Sequence, residues 1–261
     1  MKQMVSRVSG RGIRVACAVA GLSTLLSGSA MAQSTIFNIP STDTVAAKKT
    51  YVEFDYLPQA TVEEDVSRIF IYNPRVVFGL PRNMEFGLHF PIYHSSDFDP
   101  SSLGYIQPNF KWKFFSNDAS GVAASTGVVT NIPLNQREEQ ATWSYIYGNI
   151  SKKWMGAKGP RVTFGPYGVL ANADEESGPV SFIGTRGGVL LGYEQPLGGP
   201  VSFVADWFSG KNSIGYFTPG VSIVLPHSGL LNIGYSWGND SWADDNATKN
   251  RYVFVYYGIV F

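Results

Sequence analysis

Apolar and polar positions alternate with a period of two along most of the chain, the pattern of strands with two unlike faces. In Met84-Glu-Phe-Gly-Leu-His-Phe-Pro-Ile92, the side chains of Met84, Phe86, Leu88, Phe90 and Ile92 share one face, with Glu85, Gly87 and His89 on the other. Phe110, Trp112 and Phe114 alternate in the same way with Asn109, Lys111 and Lys113. A helix would scatter these charges around its whole circumference. The alternation predicts twelve strands, at 49–57, 68–80, 84–93, 104–115, 119–132, 142–154, 160–171, 181–194, 200–209, 213–225, 229–238 and 250–261. Most run for roughly ten residues, the length a tilted strand needs to cross a bilayer.

The links between these strands alternate in length. Leu80–Asn83, Ser116–Asp118, Gly156–Gly159, Pro196–Gly199 and Pro226–Gly229 are short and rich in turn formers. Between them lie mostly longer polar links at 58–67, 94–103, 133–141, 172–180 and 239–249, with one short link at 210–212. Short turns at one end and long loops at the other are the habit of a spanning barrel whose termini both lie inside the cell envelope. The six loops carry 13 acids, among them Glu63, Glu64, Asp65, Asp97, Asp99, Asp174, Glu175, Glu176, Asp244 and Asp245, against three bases, Arg137, Lys211 and Lys249. Loop solubility explains this excess, and so does an acidic mouth that attracts cations. The predicted fold is all-β: a membrane-spanning antiparallel up-and-down β-barrel of about 12 strands over 49–261. Weaker alternation at 119–132 and 213–225 leaves ten or fourteen strands open.

The first 32 residues are of a different kind. Lys2, Arg7, Arg11 and Arg14 form a basic start, Val15–Leu26 a short apolar run, and Ala30-Met31-Ala32 a small-residue cleavage pattern. Residues 1–32 are therefore expected to be a signal peptide, with Gln33 as the new N-terminus. The one cysteine, Cys17, lies within it, so no disulfide is expected in the exported chain. Its removal takes four bases and no acid from a chain that holds 20 of each, which leaves a net charge of −4 and no basic stripe for nucleic acid. No later apolar run is long enough for a spanning helix. Residues 33–48 precede the first strand as a periplasmic or luminal segment; Ile36, Phe37 and Ile39 suggest that it tucks into the barrel. Trp143, Trp207 and Trp237 fall near outer strand ends, and Trp112 and Trp154 near inner ends, as interfacial girdles do.

Alternation assigns to the lumen Glu53, Asp55, Asn73, Arg75, Glu85, His89, Gln107, Asn109, Lys111, Lys113, Lys153, Arg161, Tyr167, Arg186, Glu194 and Asp206. Opposite charges there either pair and rigidify the wall or line an aqueous path and set its selectivity. Lys111, Lys113, Arg75 and Arg161 form a candidate basic ladder, with Glu53, Asp55 and Glu85 opposing it across a constriction. Catalysis has little support. His94-Ser95-Ser96-Asp97 holds the residue types of a nucleophile–base system, but neighbours on a strand point to opposite faces. The acidic stretch Asn239-Asp240 with Asp244-Asp245-Asn246 lacks the spacing of a calcium loop. No catalytic residue, metal site or cofactor is expected.

The chain ends in Asn250-Arg-Tyr-Val-Phe-Val-Tyr-Tyr-Gly-Ile-Val-Phe261. With Tyr257, Ile259 and Phe261 on one face, it resembles the C-terminal assembly signal of bacterial outer-membrane proteins. That resemblance implies recognition by the outer-membrane assembly machinery, and lipid and lipopolysaccharide as surroundings. Asn38-Ile-Pro-Ser-Thr-Asp-Thr44, Tyr51-Val-Glu-Phe-Asp-Tyr56, Asn83-Met-Glu-Phe-Gly-Leu88 and Gln107-Pro-Asn-Phe-Lys-Trp-Lys113 resemble outer-membrane proteins of the meta-pathway-of-phenol-degradation family. Its members are viewed as barrel transporters or channels, often for hydrophobic or aromatic compounds, which implies a small-molecule solute as partner. The expected function is an outer-membrane channel or passive transporter. The alternatives are a closed structural or surface-interaction barrel acting through its acidic loops and, third, an outer-membrane hydrolase.

Overall fold

The computed structural model describes residues 34–60, 67–95, 102–135, 140–154, 159–171, 182–239 and 250–261. Its strands are β1 (Thr50–Pro58), β2 (Phe70–Leu80), β3 (Met84–His89), β4 (Ile92–His94), β5 (Ser102–Asn117), β6 (Val122–Pro133) and β7 (Trp143–Lys153). They continue as β8 (Arg161–Ala171), β9 (Gly187–Gly198), β10 (Val201–Phe208), β11 (Tyr216–Leu225), β12 (Gly229–Gly238) and β13 (Arg251–Val260). Each pairs antiparallel with its neighbours, and β1 pairs with both β2 and β13, so the sheet closes. No helix among the described residues is long and apolar enough to cross a membrane.

The pieces β3 and β4 occupy one position of the wall, because both pair with β2 and with β5. Pro91 divides them. It has no N–H for the ladder, and the wall continues past it through Phe90 N–H to the Pro74 carbonyl (2.9 Å) and Tyr105 N–H to the Pro91 carbonyl (3.0 Å). Twelve wall positions result.

Closure uses the last residue: Phe261 N–H donates to the Thr50 carbonyl at 2.8 Å and Thr50 N–H to the Phe261 carbonyl at 3.2 Å. This leaves no open edge in the wall. Tyr257 and Phe261 are exposed on the outside of the barrel, and Ile259 shares their face.

Alternation sorts the faces as expected. Val52, Phe54, Phe86, Phe110, Trp112, Ile146, Phe164 and Ile233 are exposed on the outside, while Tyr51, Glu53, Asp55, Lys111, Asn149 and Asp206 are buried inside. Two inner turns show why they are tight. Arg82 and Asn83 (φ 60° and 58°), like His227 and Ser228 (φ 59° and 61°), are consecutive left-handed residues, which fit the twist of two antiparallel strands.

Three expectations need correction. The predicted strand 181–194 begins at Gly187 and runs on to Gly198, because Pro196 is accommodated beside an irregularity at Val201/Ser202 and the turn falls at Gly199-Pro200. Trp143 is not in an outer girdle. It points inward, buried, with its ring 5.1 Å from that of Phe182 and 6.3 Å from that of Tyr145. Trp112, Trp154 and Trp237 are exposed, while Trp207 is half-buried and donates to Asn239 Oδ1 at 2.9 Å. The short link expected at 210–212 spans 209–215, drawn in by Asn212, whose Nδ2 donates to Tyr167 Oη (2.8 Å) and the Thr185 carbonyl (2.7 Å). The acidic residues of the other loops, Glu63 to Asp65, Asp97, Asp99, Asp174 to Glu176 and Asp244-Asp245, lie outside the described residues, as does most of the turn at Gly156–Gly159.

Candidate functional site: a hairpin inside the barrel

Inside the closed wall, residues 34–41 double back on themselves. Ser41 N–H donates to the Ser34 carbonyl and Ile36 N–H to the Ile39 carbonyl, both at 3.0 Å, which leaves Phe37 and Asn38 at the tip of a small hairpin. Ile36, Phe37, Ile39, Ser41 and Thr42 have no solvent exposure. The wall is shaped to the tip. A Cβ on Gly192 would strike Ile36 and Ile39, and one on Gly220 or Gly234 would lie 2.6 or 2.7 Å from the Phe37 ring. That ring packs 5.4 Å from Phe254 and 6.1 Å, edge-on, from Tyr256.

Polar contacts hold the tip from several strands. One carboxylate oxygen of Asp206 on β10 accepts three successive N–H groups, from Phe37 (2.8 Å), Asn38 (2.6 Å) and Ile39 (2.9 Å). Asn38 Nδ2 donates to Asp206 Oδ1 (3.3 Å) and to Thr218 Oγ1 on β11 (2.7 Å). The Ile36 carbonyl accepts from Tyr256 Oη on β13 (2.7 Å) and Asn232 Nδ2 on β12 (3.3 Å).

The base of the hairpin and the residues after it are held from the opposite side. Lys111 Nζ donates to the carbonyls of Ser34 (2.8 Å) and Ser41 (3.4 Å), and Val45 N–H donates to Glu85 Oε2 at 2.8 Å. Asn149 Nδ2 donates to the Pro40 carbonyl at 2.6 Å, and the Thr42 and Ser151 hydroxyls are 2.6 Å apart. Asp43 binds Arg161 directly, with Lys113 Nζ 3.9 Å away. These contacts come from wall strands on every side of the bore. Among the described residues, no strand ladder joins 34–45 to the wall.

Most of the predicted luminal charges are therefore paired, and mostly between neighbouring strands. Glu53 faces Arg75 in register on β1 and β2, Glu85 faces Lys111 on β3 and β5, and Arg161 faces Glu194 on β8 and β9. Arg75 reaches Glu53 (3.1 Å) and Asp55 (2.6 Å), and Asn73 Nδ2 donates to Asp55 at 2.8 Å. Lys111 lies 3.0 Å from Glu85, and Arg161 holds Glu194 through two nitrogens. The expected free basic ladder opposed across a constriction is thus a set of cross-strand pairs. Residues two apart on a strand stack above one another, and opposite charges at matched register meet before they can line a path.

The remaining assignments fall as follows. His89 is half-buried opposite Gln107, and Asn109 Nδ2 donates to the Gln107 carbonyl at 3.3 Å. Tyr167 points inward, with its hydroxyl bound to the Ser209 carbonyl. Lys153 and Arg186 depart from expectation. Both are exposed: Lys153 ends β7, and Arg186 lies just before β9, where the wall gives way to loops.

Asp43 was not among the expected residues, and its charge state is set by two opposing effects. Burial raises its pKa, but Arg161, then Lys113 and Lys111, outweigh burial and hold it below the ordinary carboxylate value. Sequence reasoning also passed over Asn149, Ser151, Thr218 and Asn232. Alternation from neighbouring residues marks all four as inward-facing; what it lacks is the identity of their partner.

Of the proposed catalytic run His94-Ser95-Ser96-Asp97, the structure describes His94 and Ser95. His94 Nδ1 lies 3.0 Å from Ser102 Oγ on the exposed surface of β4 and β5. Asn135, the nearby carboxamide, is committed to the Ser102 carbonyl and Gly104 N–H, each at 2.9 Å. Ser96 and Asp97 lie outside the described residues. Asn239 of the candidate calcium stretch is turned to the wall, where its Nδ2 donates to the carbonyls of Phe208 (2.5 Å) and Gly210 (3.0 Å).

Comparison with known proteins defines the class through the fold. No family model matches the chain, and no curated protein does. Among solved structures it is similar to an outer membrane channel from Pseudomonas putida F1, at 13% identity and a TM-score of 0.55, covering 87% of this chain and 98% of that one. Outer membrane phospholipase A from Escherichia coli aligns at 15% identity over 80% of this chain and 88% of that one, with a TM-score of 0.48. The chain has the closed antiparallel twelve-position β-barrel fold of outer-membrane proteins.

Proposed function

We propose that the protein is an outer-membrane channel for small solutes, closed at rest by the hairpin that its own N-terminal segment places in the bore. The observation that carries this reading is the manner of attachment. Among the described residues, wall side chains hold 34–45 and no strand ladder joins this segment to the wall, so it can leave without unzipping any wall strand. Burial of Ile36, Phe37 and Ile39 favours the closed form, the entropy of ordering the hairpin opposes it, and the polar anchors add to the burial.

An inert, permanently filled barrel has no need for a separable segment. The resemblance of the Asn38–Thr44, Asn83–Leu88 and Gln107–Lys113 phrases to barrel transporters supports the same reading. The barrel would reach the outer membrane after removal of residues 1–32 and be assembled there through its Phe261-terminated strand, with lipid and lipopolysaccharide around its apolar belt. Transport would be passive. The test is conductance of the mature protein in a planar bilayer, with and without residues 34–45. Larger and longer openings in the deletion support the channel. Equal silence from both folded proteins would overturn it.

A further inference from the structure

Every interior carboxylate among the described residues has a cation beside it except one. Arg75 serves Glu53 and Asp55, Lys111 serves Glu85, and Arg161 serves Glu194 and Asp43. Asp206 is fully as buried, at 1% exposure, and its partners are the three hairpin N–H groups and Asn38 Nδ2. When the hairpin leaves, Asp206 loses all four donors and no neighbouring base replaces them. The carboxylate then faces the vacated bore as an anionic group with no counter-charge beside it.

The hairpin vacates a shaped site as well as a charge. The absence of side chains at Gly220 and Gly234 leaves a notch the size of an aromatic ring, walled by Phe254 and Tyr256. Asn232 Oδ1 is buried without a hydrogen-bond partner, an acceptor left over even while the hairpin is in place. A ring slot, a carboxylate and a spare amide oxygen therefore lie together on β10 to β13.

We infer that the hairpin tip occupies a solute site, and that the site's own ligand is a small aromatic cation: a ring bearing a primary ammonium on a short chain. Its ring replaces Phe37 in the notch. Its ammonium replaces the three N–H groups at Asp206, with a further donor available for Asn232 Oδ1. Such a solute binds only where the hairpin tip has left, so its binding and the release of the hairpin are coupled. A neutral aromatic fills the notch but leaves Asp206 without a counter-charge, and a small aliphatic cation pairs with Asp206 but leaves the notch empty. The inference rests on the channel reading for its consequence, but the site itself can be read without conductance.

The experiment is hydrogen exchange of the Phe37, Asn38 and Ile39 amides in the full mature protein in lipid nanodiscs, with 2-phenylethylammonium, 2-phenylethanol or ethylammonium as probe. The expected result is an increase of about tenfold or more in exchange with 2-phenylethylammonium at saturation, and little change with the other two. In Asp206→Asn the amides should exchange fast from the start and ignore the probe. If that variant fails to fold, Gly234→Val serves: filling the notch should abolish the advantage of the aromatic cation over ethylammonium. Exchange unmoved by 2-phenylethylammonium, or moved equally by 2-phenylethanol, would overturn the inference. Parallel conductance separates the two proposals. Probe-driven exchange without current leaves the site standing and removes the channel; current that ignores the probe does the reverse.

Discussion

Asp43 shows how single residues hold the luminal segment in place. It joins the luminal segment to Arg161, which Glu194 already grips from the neighbouring strand, so one guanidinium ties the wall to the hairpin. Because the folded state holds its pKa below the unfolded value of about 3.9, Asp43 contributes stability that is complete above that value. The contribution is lost as pH falls through the folded pKa. The part of the protection of residues 34–45 that Asp43 supplies is thus expected to be constant above about pH 4 and to fall below it. Asp43→Asn should lower protection at neutral pH and remove the acid-dependent step. Exchange corrected for intrinsic rates reads both, and a pH profile that the substitution leaves intact would contradict this role.

At the scale of elements, glycines on β9, β11 and β12 matter for the room they leave. Gly234→Val places a side chain against the Phe37 ring while adding a residue that strands accept readily. The expected outcome is a displaced hairpin in an intact barrel: faster proteolysis within 34–45, with unchanged heat-modifiable migration of the folded protein. A hairpin as protected as in the wild type would show that the notch has slack. The elements were largely legible beforehand, because lipid demands an apolar residue at every second position and the demand is written along each strand. Pro91 was read through because the wall bypasses it, using the carbonyls of Pro74 and Pro91. Trp143 misled because aromatic residues near strand ends are favoured at interfaces and in interior clusters alike.

For the whole molecule, the interior was legible residue by residue but not as an arrangement. Alternation placed Glu53, Arg75, Glu85, Lys111, Arg161, Glu194 and Asp206 inside. Which of them meet depends on register, and register between strands far apart in sequence is fixed only once the barrel closes. Ile36, Phe37 and Ile39 signalled that the segment before β1 had somewhere apolar to go. Their destination, a notch made by glycines up to about 200 residues later in the chain, has no local signature, because Gly220 and Gly234 read as ordinary strand or bulge glycines.

The central claim is that the hairpin closes the bore and must leave for solute to pass. No cysteine follows Cys17, and Asn38 Nδ2 lies 2.7 Å from Thr218 Oγ1, so Asn38→Cys with Thr218→Cys, made in a chain that starts at Gln33, offers a removable lock across the site. We would record conductance of this variant in a planar bilayer, oxidised and then reduced, with the disulfide confirmed by mass. The expected result is a silent oxidised form that begins to open on reduction and returns to silence on reoxidation. Identical currents from the crosslinked and reduced forms would contradict the account, since solute would then be passing a hairpin that cannot move.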